Sequence, residues 1–293
     1  MKKSFEGSMV AMVTPFRDGK VDEAKIRELV EFHVKHGTDA IVPCGTTGES
    51  PTLNHAEHKR VVEVTIQAAA GRLPVIAGTG SNATAEAIDL TQHAKKAGAD
   101  GVLMVCPYYN KPTQPGLIAH YQAVAAAVDI PIIMYNIPGR TGVNMLPETV
   151  AKLAQVPNIV GIKEASGSLE QMTEVISLCG DRITVLSGDD TLTLPLMAVG
   201  GRGVISVIAN ICPKEVAEIT RASLNGDWKR AKEIHLRLFP LCKAMFYETN
   251  PIPVKTAMQI LGRLNGELRL PLCTMSPSNR DMLEKALKAY GLL

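Results

Sequence analysis

The chain has 293 residues, 46% hydrophobic and 20% charged, enough for one large core or two small ones. With 31 basic and 29 acidic residues the net charge is +2, and no basic stripe interleaved with aromatics argues for a nucleic-acid partner. No apolar run is long enough to span a bilayer, and the lysines after Met1 are not followed by the apolar stretch of a signal peptide.

Strand-like and helix-like segments alternate along the chain. An apolar run over residues 8–13 is closed by Thr14-Pro15. Asp22 then caps a helix with Ile26, Leu29, Val30 and Val34 on one face, stopped by Gly37. A second strand over 40–43 runs into Gly45-Thr46-Thr47-Gly48-Glu49-Ser50. Asn54 with Glu57 three residues on reads as a capping box for a helix ending at Gly71. Strands follow over 74–77, 101–105 and 131–135. They are separated by helices over 83–97 (stopped by Gly98) and 117–127, the latter after a Pro/Tyr-rich loop over 106–116. After a loop over 136–144 and a helix near 147–154, a sixth strand over 159–163 leads to a helix over 169–179. The seventh and eighth pairs are 183–186 with 192–199, and 203–207 with 213–224.

Eight strand-then-helix units fill residues 1–225. Such alternation implies right-handed parallel βαβ units, and eight of them point to a (β/α)₈ TIM barrel, typically ~250 residues long. A doubly wound open sheet is the runner-up, but Val13-Thr14-Pro15-Phe16-Arg17 is unlike the Gly-rich phosphate loop it calls for. Residues 226–293 carry amphipathic stretches (228–246, 254–261, 278–289) broken by prolines. They read as a C-terminal helical domain rather than a ninth repeat.

Barrel active sites lie at the C-terminal strand ends. There the sequence sets Thr46 and Thr47, Tyr108 and Tyr109, Tyr135 with Arg140 in its loop, Lys163, and Ser187-Gly188-Asp189-Asp190. The apolar run Ile159-Val160-Gly161-Ile162 ends abruptly in Lys163-Glu164-Ala165-Ser166-Gly167. A lone lysine at a strand end more often snorkels to solvent. Among hydroxyls and a guanidinium, with its amine desolvated, it reads instead as a Schiff-base nucleophile with a tyrosine proton carrier. No metal-ligand spacing appears, so no metal or cofactor is expected, and Asp189-Asp190 reads as helix capping. The six cysteines, Cys44, Cys106, Cys179, Cys212, Cys242 and Cys273, form no C-x-x-C pair. Free thiols buried in a reducing cytoplasm are expected, with Cys44 and Cys106 in interior packing.

Three motifs, Gly45-Thr46-Thr47-Gly48-Glu49, Tyr135-Asn136-Ile137-Pro138-Gly139-Arg140-Thr141-Gly142 and Gly161-Ile162-Lys163-Glu164-Ala165, resemble the dihydrodipicolinate synthase family of Schiff-base pyruvate lyases. The likeness runs nearly end to end, including Asn250-Pro251-Ile252-Pro253-Val254-Lys255. It implies condensation of pyruvate with aspartate semialdehyde, the entry to diaminopimelate and lysine. It makes Lys163 the imine former, Tyr135 the general acid/base, and Thr46 and Tyr109 the rest of a hydroxyl relay, Tyr109 reaching into a neighbouring subunit. Thr47 would hold the pyruvate carboxylate, the backbone of Gly188 and Ile205 would line that pocket, and Arg140 would bind the second substrate's carboxylate. A homotetramer of tight dimers follows from the same likeness, as does a feedback site for lysine at Ser50, Pro51, His55, His58, Asn82, Glu86 and Tyr108. An N-acetylneuraminate lyase or keto-sugar-acid aldolase would share the lysine and tyrosine but generally lacks Arg140. A non-catalytic binding relative would have lost the lysine or the tyrosine.

Overall fold

In the computed structural model residues 5–293 are described; the signal-peptide reading falls on Met1–Ser4, outside the described residues. Short runs of aliphatic residues buried on both faces form eight strands, β1 (Gly7–Ala11), β2 (Ala40–Val42), β3 (Ile76–Gly78), β4 (Gly101–Val105), β5 (Ile132–Asn136), β6 (Ile159–Glu164), β7 (Thr184–Ser187) and β8 (Gly203–Ser206). All pair in parallel in the order β2-β1-β8-β7-β6-β5-β4-β3, and an Ile41–Val75 bridge joins the two ends into a barrel. Each strand is followed by a helix: α1 (Glu23–Lys35), α2 (His55–Ala69), α3 (Thr84–Ala97), α4 (Gln114–Ala127), α5 (Pro147–Leu153), α6 (Leu169–Cys179), α7 (Thr193–Ala198) and α8 (Pro213–Leu224). The fold is a (β/α)₈ TIM barrel, extended by α9 (Trp228–Ala244), α10 (Ile252–Ile260) and α11 (Pro277–Tyr290).

Alternation along the strands sorts side chains into two cores. Met9, Ala11, Val42, Ile76, Leu103, Ile133, Tyr135, Val160, Leu186 and Ile205 fill the barrel interior. Val10, Ile41, Val102, Ile132, Met134 and Ile162 point outward against the helices. On β6 the alternation slips. The β5–β6 register shifts between Ile132 and Ile133, whose partners are Ile159 and Gly161, so Val160 is the extra residue of a β-bulge. Val160 faces in, Ile162 faces out, and Lys163 comes back to the interior.

Several boundaries differ from the sequence reading. Helix α4 starts at Gln114, capped by the Thr113 hydroxyl, because Pro115 fits a first helical turn rather than a loop. The expected loop over 136–144 begins inside β5 and holds a one-turn helix, Pro138–Thr141. A small hairpin pairs Phe16–Arg17 with Lys20–Val21. Pro240 lies inside α9 on its exposed side, and the amphipathic stretch expected over 228–246 forms one helix to Ala244. Five cysteines are buried, but Cys273 is exposed. The Asn54/Glu57 capping box forms as expected.

Helices α9 to α11 share the outer core. Ile234, Leu238, Leu241, Met258, Leu283 and Leu287 join Ile208, Val216 and Ile219 in one cluster, so apolar packing runs without a break across residues 225 and 226. No helix among the described residues is long and apolar enough to cross a membrane.

Candidate active site

Tyr135 and Lys163 are register partners on β5 and β6. Cross-strand partners on one face stand close together, and here the Lys163 Nζ lies 4.2 Å from the centroid of the Tyr135 ring. Both are buried, at 4% and 5% exposure, where the barrel interior meets its C-terminal mouth. Gly188, just past β7, keeps this space open: a Cβ there would come within 3.1 Å of the Lys163 Cε and 2.6 Å of the Ala165 Cβ. Its N–H bonds the Glu164 carbonyl at 2.8 Å. Ile205 is buried in the interior on β8.

Behind the pair lies a polar network with no counterpart in the sequence reading. Glu164, fully buried on the opposite face of β6 from Lys163, accepts bonds from Asn136 Nδ2 (3.2 and 3.1 Å), Gln171 Nε2 (3.2 Å) and the Ser166 N–H (2.7 Å). Asn136 and Glu164 are register partners, as are Tyr135 and Lys163 one residue earlier, so the network ties the two strands where the Tyr135 and Lys163 side chains leave them.

The loop after β2 is tightly folded. Gly48 and Ser50 N–H groups bond the Gly45 carbonyl, and Cys44 and Glu49 hold left-handed φ values of 55° and 54°. Such conformations persist only where surroundings enforce them. One enforcing contact is a buried ion pair at 2.6 Å between Glu49 Oε1 and Lys255 Nζ on α10, whose amine also donates to the Thr14 carbonyl at 3.0 Å. Burial lowers the Lys255 pKa, opposed by Glu49. The second is Asn250, whose Nδ2 donates to the Thr47 Oγ1 at 3.0 Å. The Asn250 carbonyl accepts from Arg140 Nη2 at 3.1 Å. Arg140 is exposed on the one-turn helix and has no salt-bridge carboxylate among the described residues. The sequence flagged Asn250 and Lys255 only as a stretch of likeness. Their signal was a Pro-rich turn opening a helix that buries a lysine.

A cavity of about 430 Å³ opens at this mouth, lined by Thr46, Tyr135 and Arg140. The same cavity is lined by Ser50, Pro51, His55, His58, Glu86 and Tyr108, so most of the expected regulatory set adjoins the catalytic one. Lys163, Thr47, Gly188, Ile205 and Asn82 are outside this lining. Asn82 meets the loop after β4 through its carbonyl, which accepts from Asn110 at 2.8 Å. Tyr109 is 90% exposed with φ 71° and does not line its own chain's cavity.

The Ser81 hydroxyl holds the Glu86 carboxyl below its usual range; burial opposes this, and the His55 Nε2 at 2.7 Å adds to it. Burial pushes the His58 imidazole down to about 4 and the Tyr108 phenol up. Asp189 caps the turn at Asp190–Leu192, accepting from the Thr191 N–H, whereas Asp190 turns inward to bond the Val207 and Ile208 N–H groups at 3.0 Å each. Only the first of the two acids follows the capping expectation, because adjacent residues point apart. No cluster of three or more His, Cys, Asp or Glu among the described residues could hold a metal.

The family model described as the dihydrodipicolinate synthetase family matches residues 4–290. The chain belongs to this family. It is 61% identical over 289 residues to 4-hydroxy-tetrahydrodipicolinate synthase of Geobacter sulfurreducens, covering 99% of this chain and 100% of that one. A crystal structure of dihydrodipicolinate synthase from Aquifex aeolicus superposes with a TM-score of 0.97 at 56% identity, covering 98% of this chain and 99% of that one. One of DHDPS from Cyanidioschyzon merolae with lysine bound superposes at 0.96 and 45% identity, covering 99% and 100%.

Proposed function

We propose that the chain condenses pyruvate with L-aspartate 4-semialdehyde to give 4-hydroxy-tetrahydrodipicolinate, in the cytoplasm and without a cofactor. The observation that carries the reading is the Lys163 amine packed 4.2 Å from the Tyr135 ring centroid at a buried strand end. The amine adds to the keto carbon of pyruvate and water leaves, giving an imine whose protonated form is an electron sink. A proton leaves the methyl carbon through Tyr135, and the resulting enamine attacks the aldehyde carbon, whose oxygen takes up a proton. The amino group of the second substrate then displaces Lys163 from the imine carbon, closing the ring and freeing the enzyme. Over the whole reaction one water is released.

Thr47 holds the pyruvate carboxylate alongside the Gly188 and Ile205 backbone, and Arg140 the carboxylate of the aldehyde, a task its planar fork suits. A phenol is a poor acid or base alone, so Thr46 and Tyr109 of a neighbouring copy complete a relay. This reading makes the chain a homotetramer of tight dimers, supported by an exposed Tyr109 that does not serve its own cavity. Residues 1–225 are the catalytic barrel and 226–293 a helical appendage sharing its core. Lysine is a feedback inhibitor, bound by Ser50, Pro51, His55, His58, Asn82, Glu86 and Tyr108, with the Glu86 carboxylate facing its ammonium.

The test is borohydride reduction with pyruvate, followed by peptide mass spectrometry. The adduct is expected on Lys163, and an adduct elsewhere or none would overturn the mechanism. A turnover screen of pyruvate with several aldehydes separates this reading from a keto-sugar-acid aldolase. Sedimentation showing an active monomer would remove the shared tyrosine.

A further inference from the structure

The reaction asks Thr47, in the small loop after β2, for a hydroxyl proton aimed at a carboxylate. A threonine hydroxyl has one proton and two acceptor sites, and it rotates freely unless something fixes it. Thr47 is 2% exposed. Its oxygen accepts the Asn250 Nδ2–H at 3.0 Å, and among the described residues no protein acceptor takes its own proton. The hydroxyl therefore has one lone pair filled and its hydrogen directed elsewhere. A hydroxyl that accepts one bond is also a better donor in the next.

Asn250 is itself held in place. It is 4% exposed, its carbonyl receives the Arg140 guanidinium, and five residues on, Lys255 pins Glu49. The segment 250–255 thus grips the loop at Thr47 and at Glu49 from the same side. The Asn250 Oδ1 is buried with no partner, so the amide serves the site as a donor. An aspartate would have the same shape and the opposite effect. It would capture the Thr47 proton and set a negative charge beside a place for two carboxylates.

We infer that Asn250 is a positioning residue that orients the Thr47 hydroxyl, so that its proton is presented to the carboxylate of pyruvate. The inference rests on the reading of Thr47 given above. It predicts a loss confined to one substrate, because Asn250 meets Arg140 only through its main-chain carbonyl, which side-chain substitution leaves in place.

The experiment measures KM and kcat for each substrate in the full-length enzyme, together with the pyruvate concentration giving half-maximal borohydride trapping without aldehyde. Asn250→Ala should raise the KM for pyruvate about tenfold, the usual size for one lost hydrogen bond, with the aldehyde KM and kcat changed less than twofold. Asn250→Asp should be worse for pyruvate than Asn250→Ala, although it keeps the side chain's shape; a merely structural role gives the reverse order. In a Thr47→Val background Asn250→Ala should add nothing further to the pyruvate KM. If Asn250→Ala does not fold, Asn250→Ser supplies the comparison with Asn250→Asp. Thr47→Val with an unchanged pyruvate KM would overturn the reading of Thr47. A raised KM in Thr47→Val with parental values in Asn250→Ala and Asn250→Asp would overturn the role of Asn250 alone. Equal losses for both substrates would also overturn it.

Discussion

Tyr135 and Lys163 stand on neighbouring strands; His55, His58, Glu86 and Tyr108 stand at helix starts and on loops. The two groups meet at one cavity, yet they are held by different means. The strand pair is fixed by backbone register, by close packing at Gly188 and by a buried amide–carboxylate network one residue further on. In the second group Glu86 is held by side chains, the Ser81 hydroxyl and the largely exposed His55 imidazole. Geometry built on strands suits a reaction that tolerates no misplacement. Geometry built on helix ends and ion pairs can rearrange when a charged ligand arrives, as a regulatory cleft requires.

The sharpest way to break this comparison is at the strand pair. Tyr135→Phe should keep the fold and lower turnover by roughly 10²–10⁴, the usual worth of a positioned general acid/base; turnover at the parental rate would remove Tyr135 from that role. Arg140→Ala comes next. Its loss should raise the aldehyde KM by roughly 10–100-fold and the pyruvate KM far less, because a charged hydrogen bond to one substrate is removed. Equal changes in both would make Arg140 structural.

At the cleft, effects should be smaller and appear in regulation rather than rate. Initial rates titrated with lysine should fall in the parent, while Glu86→Ala should need roughly 5–150-fold more lysine, the range of typical coupling energies. Rates flat to saturating lysine in the parent would abolish the cleft's proposed role.

A separate effect concerns stability. Burial pushes the His33 imidazole on α1 down to about 3, so the unfolded chain binds a proton there at a pH where the folded one does not. Stability from this group is full above pH 6.5 and is lost as pH falls toward 3. Between pH 7 and 4.5 the parent should lose roughly 2–3 kcal/mol through it, visible as a steeper drop in urea-unfolding free energy than in His33→Asn. Identical drops would remove His33 as a cause.

Much of this was legible in the chain itself. The periodic apolar runs, the Asn54/Glu57 box and the glycine after α3 give the elements and their order, since these are local effects of backbone geometry and capping. Parallel alternation of strand and helix gives a barrel, and strand ends give the neighbourhood of Thr46, Tyr135 and Lys163. Pro115 misled because proline's cost depends on where it sits: counted into the expected loop over 106–116, it instead opens a helix.

What the tertiary structure alone decided is which way those side chains point and who holds them. Counting by twos from Val160 would send Ile162 into the barrel and Lys163 out to the helices. The bulge at Val160 reverses this, since one extra residue flips every later side chain to the other face. A bulge belongs to a pair of strands, and no single run of residues announces it. The grips of Asn250 on Thr47 and Lys255 on Glu49 join residues 203 and 206 positions apart. Residue type and spacing thus settled which groups were available. Long-range packing, which alone brings such distant residues together, settled their geometry.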